Sequence, residues 1–246
     1  PMSIQLNSSV TIGTKPDLFY NPQFLKASDF IDVEQSLFDQ GYYSWMENYS
    51  THPAMSPVVQ LLIAQRDGKI STDEANQQIA QLREQDVRRD FRKYFFQNSV
   101  NQQYSFSIKG GGSTVSYYLS GGFDQNNDNL VRNGLNRVTV NSMLTYHPVK
   151  SVEISSSVLY STSKQLQNNG GMGTVTSGGG KGIYPYARLA DDNEKPLSVV
   201  RDYNTDFVNQ AQASGLLDWS YVPLSELRHN DYTVRTDEIR INTAAR

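Results

Sequence analysis

Asp67, Gly68, Lys69, Ile70, Ser71 and Glu74 are spaced like the second half of a calcium-binding EF-hand loop. The glycine, the isoleucine and the closing glutamate stand at the right offsets. The first ligand position would then be Ile63 and the third Gln65. An apolar first position removes a donor that such a loop requires, so calcium is not expected to bind. A helix stop at Asp67-Gly68 and a helix start at Ser71 account for every one of these residues. The run Gly178-Gly179-Gly180-Lys181-Gly182 hints at a phosphate loop. That motif needs a glycine where Val175 stands and Ser or Thr in place of Gly182, so the match fails. His52, His147 and His229 lie in separate segments with no His-x-x-x-His spacing, and no nucleophile–base pair can be argued from them. Asp191-Asp192 sits in a polar turn, where solvated charge is the ordinary state. No catalytic, metal or cofactor site emerges, and the chain is not expected to be an enzyme.

Tyr184, Tyr186, Arg188, Trp219 and Tyr221 are the residues best suited to hold something. Rings of this kind stack on a sugar or a peptide, or clamp a partner. The competing expectation is that they pack the interior of their own loop.

The elements that must position these residues are strands. Five stretches alternate apolar and polar residues with period two. Ile4, Leu6, Val10 and Ile12 oppose Gln5, Asn7, Ser9 and Thr11. Tyr104, Phe106 and Ile108 oppose Ser105, Ser107 and Lys109. Val115, Tyr117, Leu119 and Phe123 oppose Thr114, Ser116, Tyr118 and Ser120. Val138, Val140, Leu144 and Tyr146 oppose Thr139, Asn141 and Thr145. Val152, Ile154, Val158 and Tyr160 oppose Glu153, Ser155, Ser157 and Ser161. A sixth strand places Ile239 and Ile241 between Arg240 and Asn242. The strands are expected at about residues 3–12, 100–109, 114–124, 137–147, 151–161 and 236–246, near the length needed to cross a bilayer. Their connections run long, short, medium, short and long. Minimal turns fall at Gly110-Gly111-Gly112-Ser113 and Pro148-Val149-Lys150-Ser151, and a proline belongs at a strand end. Tight turns at one end and long loops at the other are the sequence pattern of an outer-membrane barrel wall. Tyr146 and Tyr160 would then stand in an aromatic belt at the membrane interface.

The first long connection, residues 13–99, reads as helical. Ser28 is expected to cap a helix to about Gln40 with Phe30, Val33 and Leu37 on one stripe. Ser56-Pro57 starts a second helix, Ser71 with Glu74 a third, and Asp86 to Phe96 a fourth. The second long connection, residues 162–233, opens on a glycine-rich run that reads as a flexible tether. It continues through a short helix from Thr205 to Ala213, and Leu216 to Tyr221 is expected to be packed.

Of the 246 residues 37% are hydrophobic, fewer than a soluble domain of this length usually carries. A membrane barrel tolerates that, because only every second strand residue meets lipid. No apolar run reaches the length of a transmembrane helix. The net charge of −3 offers no footprint for nucleic acid. There are no cysteines, which excludes disulfides and thiolate metal sites. A strand pattern beginning beside Pro1 and another running into Arg246 read as a fragment of something longer.

Val10 to Pro16, Asp29 to Glu34 and Leu37 to Tyr43 resemble the start of the barrel in the SusC/RagA family of TonB-dependent outer-membrane transporters of the Bacteroidetes. Ser99 to Ser105 and Tyr117 to Asp124 resemble the following hairpin. Tyr184 to Asp191, and Leu217-Asp218-Trp219 with Pro223, Leu224, Glu226 and Leu227, resemble the family's long loop. The resemblance implies a mainly β fold: antiparallel strands of a transmembrane β-barrel, six of about 22, with a helical extracellular loop insertion. It implies a location in the cell outer membrane, in contact with lipid. The implied partners are a SusD-like surface lipoprotein, TonB through a plug domain outside this sequence, and an oligosaccharide or peptide substrate. It carries no catalytic residue and no cofactor. The rival reading is a secreted glycan-binding β-sandwich with helical insertions, whose apolar strand faces would pack on a second sheet. A weaker rival is a calcium-regulated helical module over residues 56–96.

Overall fold

The computed structural model describes residues 2–246. The chain forms two compact units, one comprising the residues up to Lys15, Gln97–Asn169 and Asp231–Arg246, the other Pro16–Phe96 and Gly170–Asn230.

The first unit is one antiparallel sheet of six strands. In chain order these are β1 (Ser3–Gly13), β2 (Ser99–Gly111), β3 (Val115–Asn127), β4 (Asn133–Val149), β5 (Val152–Gln167) and β8 (Thr233–Ala245), and they lie in the sheet in that same order. Each strand pairs with the one before it, as a meander does, and β1 does not pair with β8, so the sheet is open. The fold is therefore mainly β, an open stretch of antiparallel wall with helices in its long connections. β4 and β5 extend several residues beyond the expected ends toward the long loops, because their ladder continues to Asn133↔Gln167. At the other end the turns are short: the Gly112 N–H donates to the Val115 carbonyl at 2.8 Å. Pro148 sits where the β4–β5 register slips between Tyr146 and Val149, a place where a missing N–H costs little.

Register decides which side chains share a face. Leu6 stands opposite Phe106, Tyr104 opposite Phe123, Val138 opposite Phe123, Val140 opposite Tyr160, and Tyr160 opposite Ile239. The apolar rows of all six strands thus coincide on one side of the sheet. Two glycines on that side are roofed by cross-strand aromatics: a Cβ at Gly121 would meet the Phe106 ring and one at Gly110 the Tyr117 ring. The rings cover the backbone these glycines would leave bare. The opposite side carries Gln5, Asn7, Gln103, Ser105, Ser120, Asn141 and Ser161, with an Arg137–Asp124 ion pair at 2.8 Å between directly paired residues. On the apolar side Leu6 stays 79% exposed, Ile239 68%, Phe106 42% and Tyr160 37%, and among the described residues no second layer buries them.

The second unit holds the buried core. Its helices are α1 (Ala27–Asp39), α2 (Ser44–Glu47), α3 (Pro57–Arg66), α4 (Thr72–Arg83), α5 (Val87–Tyr94), α6 (Thr205–Ala213) and α7 (Pro223–His229), with a small ladder of β6 (Thr176–Ser177) and β7 (Lys181–Gly182). Ser56 and Ser71 cap α3 and α4 by accepting from the Val59 and Glu74 N–H groups, and Asp86 caps α5 through the Arg88 N–H. Gly68 stops α3 with φ +69°. α5 is tied to the second long connection by Val87 N–H to the Pro185 carbonyl (2.8 Å) and Leu189 N–H to Asp90 Oδ2 (2.7 Å).

Four local expectations are corrected. Ser28 does not cap α1; the cap position is Lys26, and Ser28 Oγ donates instead to Asp29. The buried stripe of α1 is Ala27, Ile31 and Glu34, leaving Val33 51% exposed, because a carboxylate takes the inward position. The glycine-rich run is not a loose tether. It folds into short turns and the β6–β7 ladder, with Val175 buried and a Cβ at Gly178 barred by the Ala54 side chain. Leu216 to Tyr221 is only partly packed, since Leu217 is 83% exposed.

Candidate functional site

An aromatic cleft of about 230 Å³ lies in the helical unit. Local structure builds it in three steps. Asn204 caps α6 by accepting from the Phe207 N–H at 2.8 Å, which sets the ring of Phe207 one turn from Tyr203. The Ser220 N–H donates to Asp218 Oδ1 at 2.8 Å, an Asx turn that orients Trp219 and Tyr221. A backbone bridge between Val199 and Tyr221 then brings the two segments together. The rings of Tyr203, Phe207 and Trp219 sit 5.4 to 6.1 Å apart, and His52 stacks on Phe207 at 4.1 Å. The Arg201 guanidinium lies 3.9 Å from the centre of the Tyr221 ring and pairs with Asp202 at 2.7 Å. That hydrogen bond to Asp202 raises the Arg201 pKa, and burial raises that of the Tyr221 hydroxyl despite the arginine beside it. The cleft sets the part-exposed rings of Tyr203 and Trp219 beside one fixed cation.

Of the residues singled out in the sequence, the fold brings Tyr184, Trp219 and Tyr221 to this one cleft. Tyr184 forms its floor, buried, its hydroxyl accepting from the Val200 N–H at 3.4 Å. Burial pushes its pKa up to about 12. Tyr186 lies in the core with its ring 4.8 Å from that of Tyr184 and 1% exposed. Arg188 is elsewhere, paired with Asp192 at 2.6 Å beside a groove lined by Leu61, Gln81 and Leu82. Sequence reading missed Tyr203, Phe207, His52 and Arg201. Tyr203 and Phe207 are four apart across a helix start, a spacing that could have flagged the pair. Nothing local announces that His52, from the first long connection, completes the cluster.

Behind the cleft floor is a buried carboxylate. Glu34 on α1 is 5% exposed and accepts from the Tyr186 hydroxyl at 2.7 Å. Burial raises its pKa from 4.5 to about 7, while hydrogen bonds from Ser56 and Tyr186 pull it back down. Burial and the nearby Glu34 charge push the Tyr43 hydroxyl up to about 12.

No protein-family model and no curated protein matches the sequence. Solved structures do. The chain is similar over 98% of its length to a chain in the structure of the RagAB peptide transporter, with a TM-score of 0.59 and 14% identity. It is similar over 82% of its length to a chain of the RagAB peptide importer in a "closed-closed" state, with a TM-score of 0.50 and 13% identity. At such identities the likeness establishes the fold. The chain spans 26% and 22% of those two chains, about a quarter of their length.

Proposed function

We propose that this chain is part of the barrel wall of a SusC-like outer-membrane importer. Such a protein takes up oligosaccharides or peptides together with a SusD-like surface lipoprotein, powered through TonB. One observation carries the reading: six strands pair in a register that gathers their apolar residues on a single face, which no other layer covers. Water would oppose that face, whereas hydrocarbon would accept it. The polar face then borders the lumen, and the end bearing the short turns is periplasmic. Both long connections lie outside the cell, where the aromatic cleft meets substrate or lipoprotein. The importer catalyses no bond cleavage. Likeness in fold to chains named as a peptide importer and a peptide transporter supports this assignment. The uncovered apolar face counts against the sandwich, whose sheets must bury theirs on each other.

Fractionation of cells making the intact protein tests it. The protein should sediment with outer membranes, need detergent for release, and migrate faster on a gel unboiled than boiled. Release by salt alone, in a soluble monomer, would sink the proposal.

A further inference from the structure

Three segments of the helical unit meet at one buried carboxyl group. Glu34 comes from α1, Ser56 from the start of α3, and Tyr186 from the second long connection. The Tyr186 hydroxyl donates to Glu34 Oε2 at 2.7 Å, and Ser56 is the second hydrogen-bond partner. Two of these segments continue into the aromatic cleft. Pro57, next to Ser56, lines one wall. The Tyr186 ring packs 4.8 Å from that of Tyr184, the cleft floor, and Phe30 of α1 meets it edge-on at 6.0 Å.

Among the described residues no cation pairs with Glu34. Tyr43, from the turn after α1, and Tyr184 and Tyr186 face it with hydroxyl groups. α4 brings Arg83 against α1, but that guanidinium is held by Asp32 and Gln35, each at 2.7 Å. Asp73 and Glu74, in the first turn of α4, are exposed. The charged residue of α3 is Arg66, in its last turn, paired with Glu47 at 2.6 Å and Asp67 at 2.8 Å. Arg188, two residues past Tyr186, is held by Asp192. The bland account is a structural hydrogen bond that leaves the cleft indifferent to pH. It does not explain why a carboxyl group fills this place, since a buried carboxylate with no cation beside it is costly and is favoured only while protonated.

We propose that Glu34 is a proton-operated latch on the aromatic cleft. Protonated, it stays inside and holds Ser56 and Tyr186, so the Pro57 wall and the Tyr184 floor stand in place. When it loses its proton it is drawn to water, α1 parts from Tyr186, and wall and floor loosen together. No covalent bond of the chain changes except the O–H, whose proton passes to solvent. Closed, the group holds its proton up to a pH of about 7; opened to water, it returns to 4.5. Opening therefore becomes more favourable as pH rises between these values and levels off above them. The latch belongs to the helical unit, and its bearing on transport rests on the importer reading.

Hydrogen–deuterium exchange of the full-length protein in detergent reads the latch with no ligand present. The amides to follow are those of Val87, Ala187 and Val200, which donate to the Pro185 carbonyl, the Tyr184 carbonyl and the Tyr184 hydroxyl. Corrected for the intrinsic effect of pH on exchange, their protection should fall on the order of fiftyfold between pH 5 and pH 8, while amides of β3 and β4 keep theirs. Glu34→Gln, neutral throughout, should keep at pH 8 the protection it has at pH 5. Tyr186→Phe removes a donor that favours the charged form, so the fall should move to higher pH. Protection independent of pH in the wild type, a wild-type response in Glu34→Gln, or an equal loss in the sheet would overturn the proposal. Release from membranes without detergent would defeat the importer reading, and exchange in the helical unit decides the latch in either case.

Discussion

Glu34 is the residue whose environment differs most from its chemistry. A carboxyl group held among Tyr186, Tyr43 and Ser56 has its pKa raised from 4.5 to about 7, with burial the main cause. The folded state thus binds this proton more tightly than the unfolded chain does. The stability linked to the neutral group is fully present below pH 4.5 and is lost as pH rises through about 7, a change on the order of 3 kcal/mol. Glu34→Gln keeps an acceptor for the Tyr186 hydroxyl and should flatten that slope, measurable as melting temperature against pH. A variant with the wild-type slope would show that another group titrates. In the aromatic cleft, Trp219 is 42% exposed, so Trp219→Ala should leave the fold intact. If the proposed importer reading holds, it should weaken the uptake of oligomers that carry rings or apolar groups by about tenfold, read as a rise in transport KM.

Strands and helices were legible to different depths. Dyad alternation located every strand of the large sheet, most ends within four residues and the end of β5 six residues short, since a one-residue slip would turn all its apolar side chains over. Faces can be tested the same way. Val140 lies between Gly121 and Tyr160 on the apolar side, and its neighbour Asn141 lies between Ser120 and Leu159 on the other. Val140→Lys should cost roughly 2–4 kcal/mol if that side meets lipid, and Asn141→Lys far less, by urea unfolding in detergent. Equal costs would contradict the assigned faces. Helix caps at Ser56, Ser71 and Asp86 were readable because a cap is a local hydrogen bond. The inward stripe of α1 was not. It includes Glu34, and only the arrival of Ser56 and Tyr186, both distant in sequence, makes burial of a carboxylate tolerable.

At the scale of the molecule, the sheet leaves the outer edges of β1 and β8 unpaired and one face apolar and uncovered. Residues 1–246 produced alone in detergent-free buffer should therefore associate through edges and face instead of staying monomeric. Size-exclusion chromatography checks this; a stable monomer would mean the face is covered by something other than lipid. By itself the sequence determined the strands, their alternation, the placing of short and long connections and most helix starts, because each is written in neighbouring residues. Tertiary structure alone decided that Tyr186 packs inward while Trp219 stays open, and that His52 and Phe207 stack. Those outcomes depend on contacts between distant segments, which no local pattern encodes.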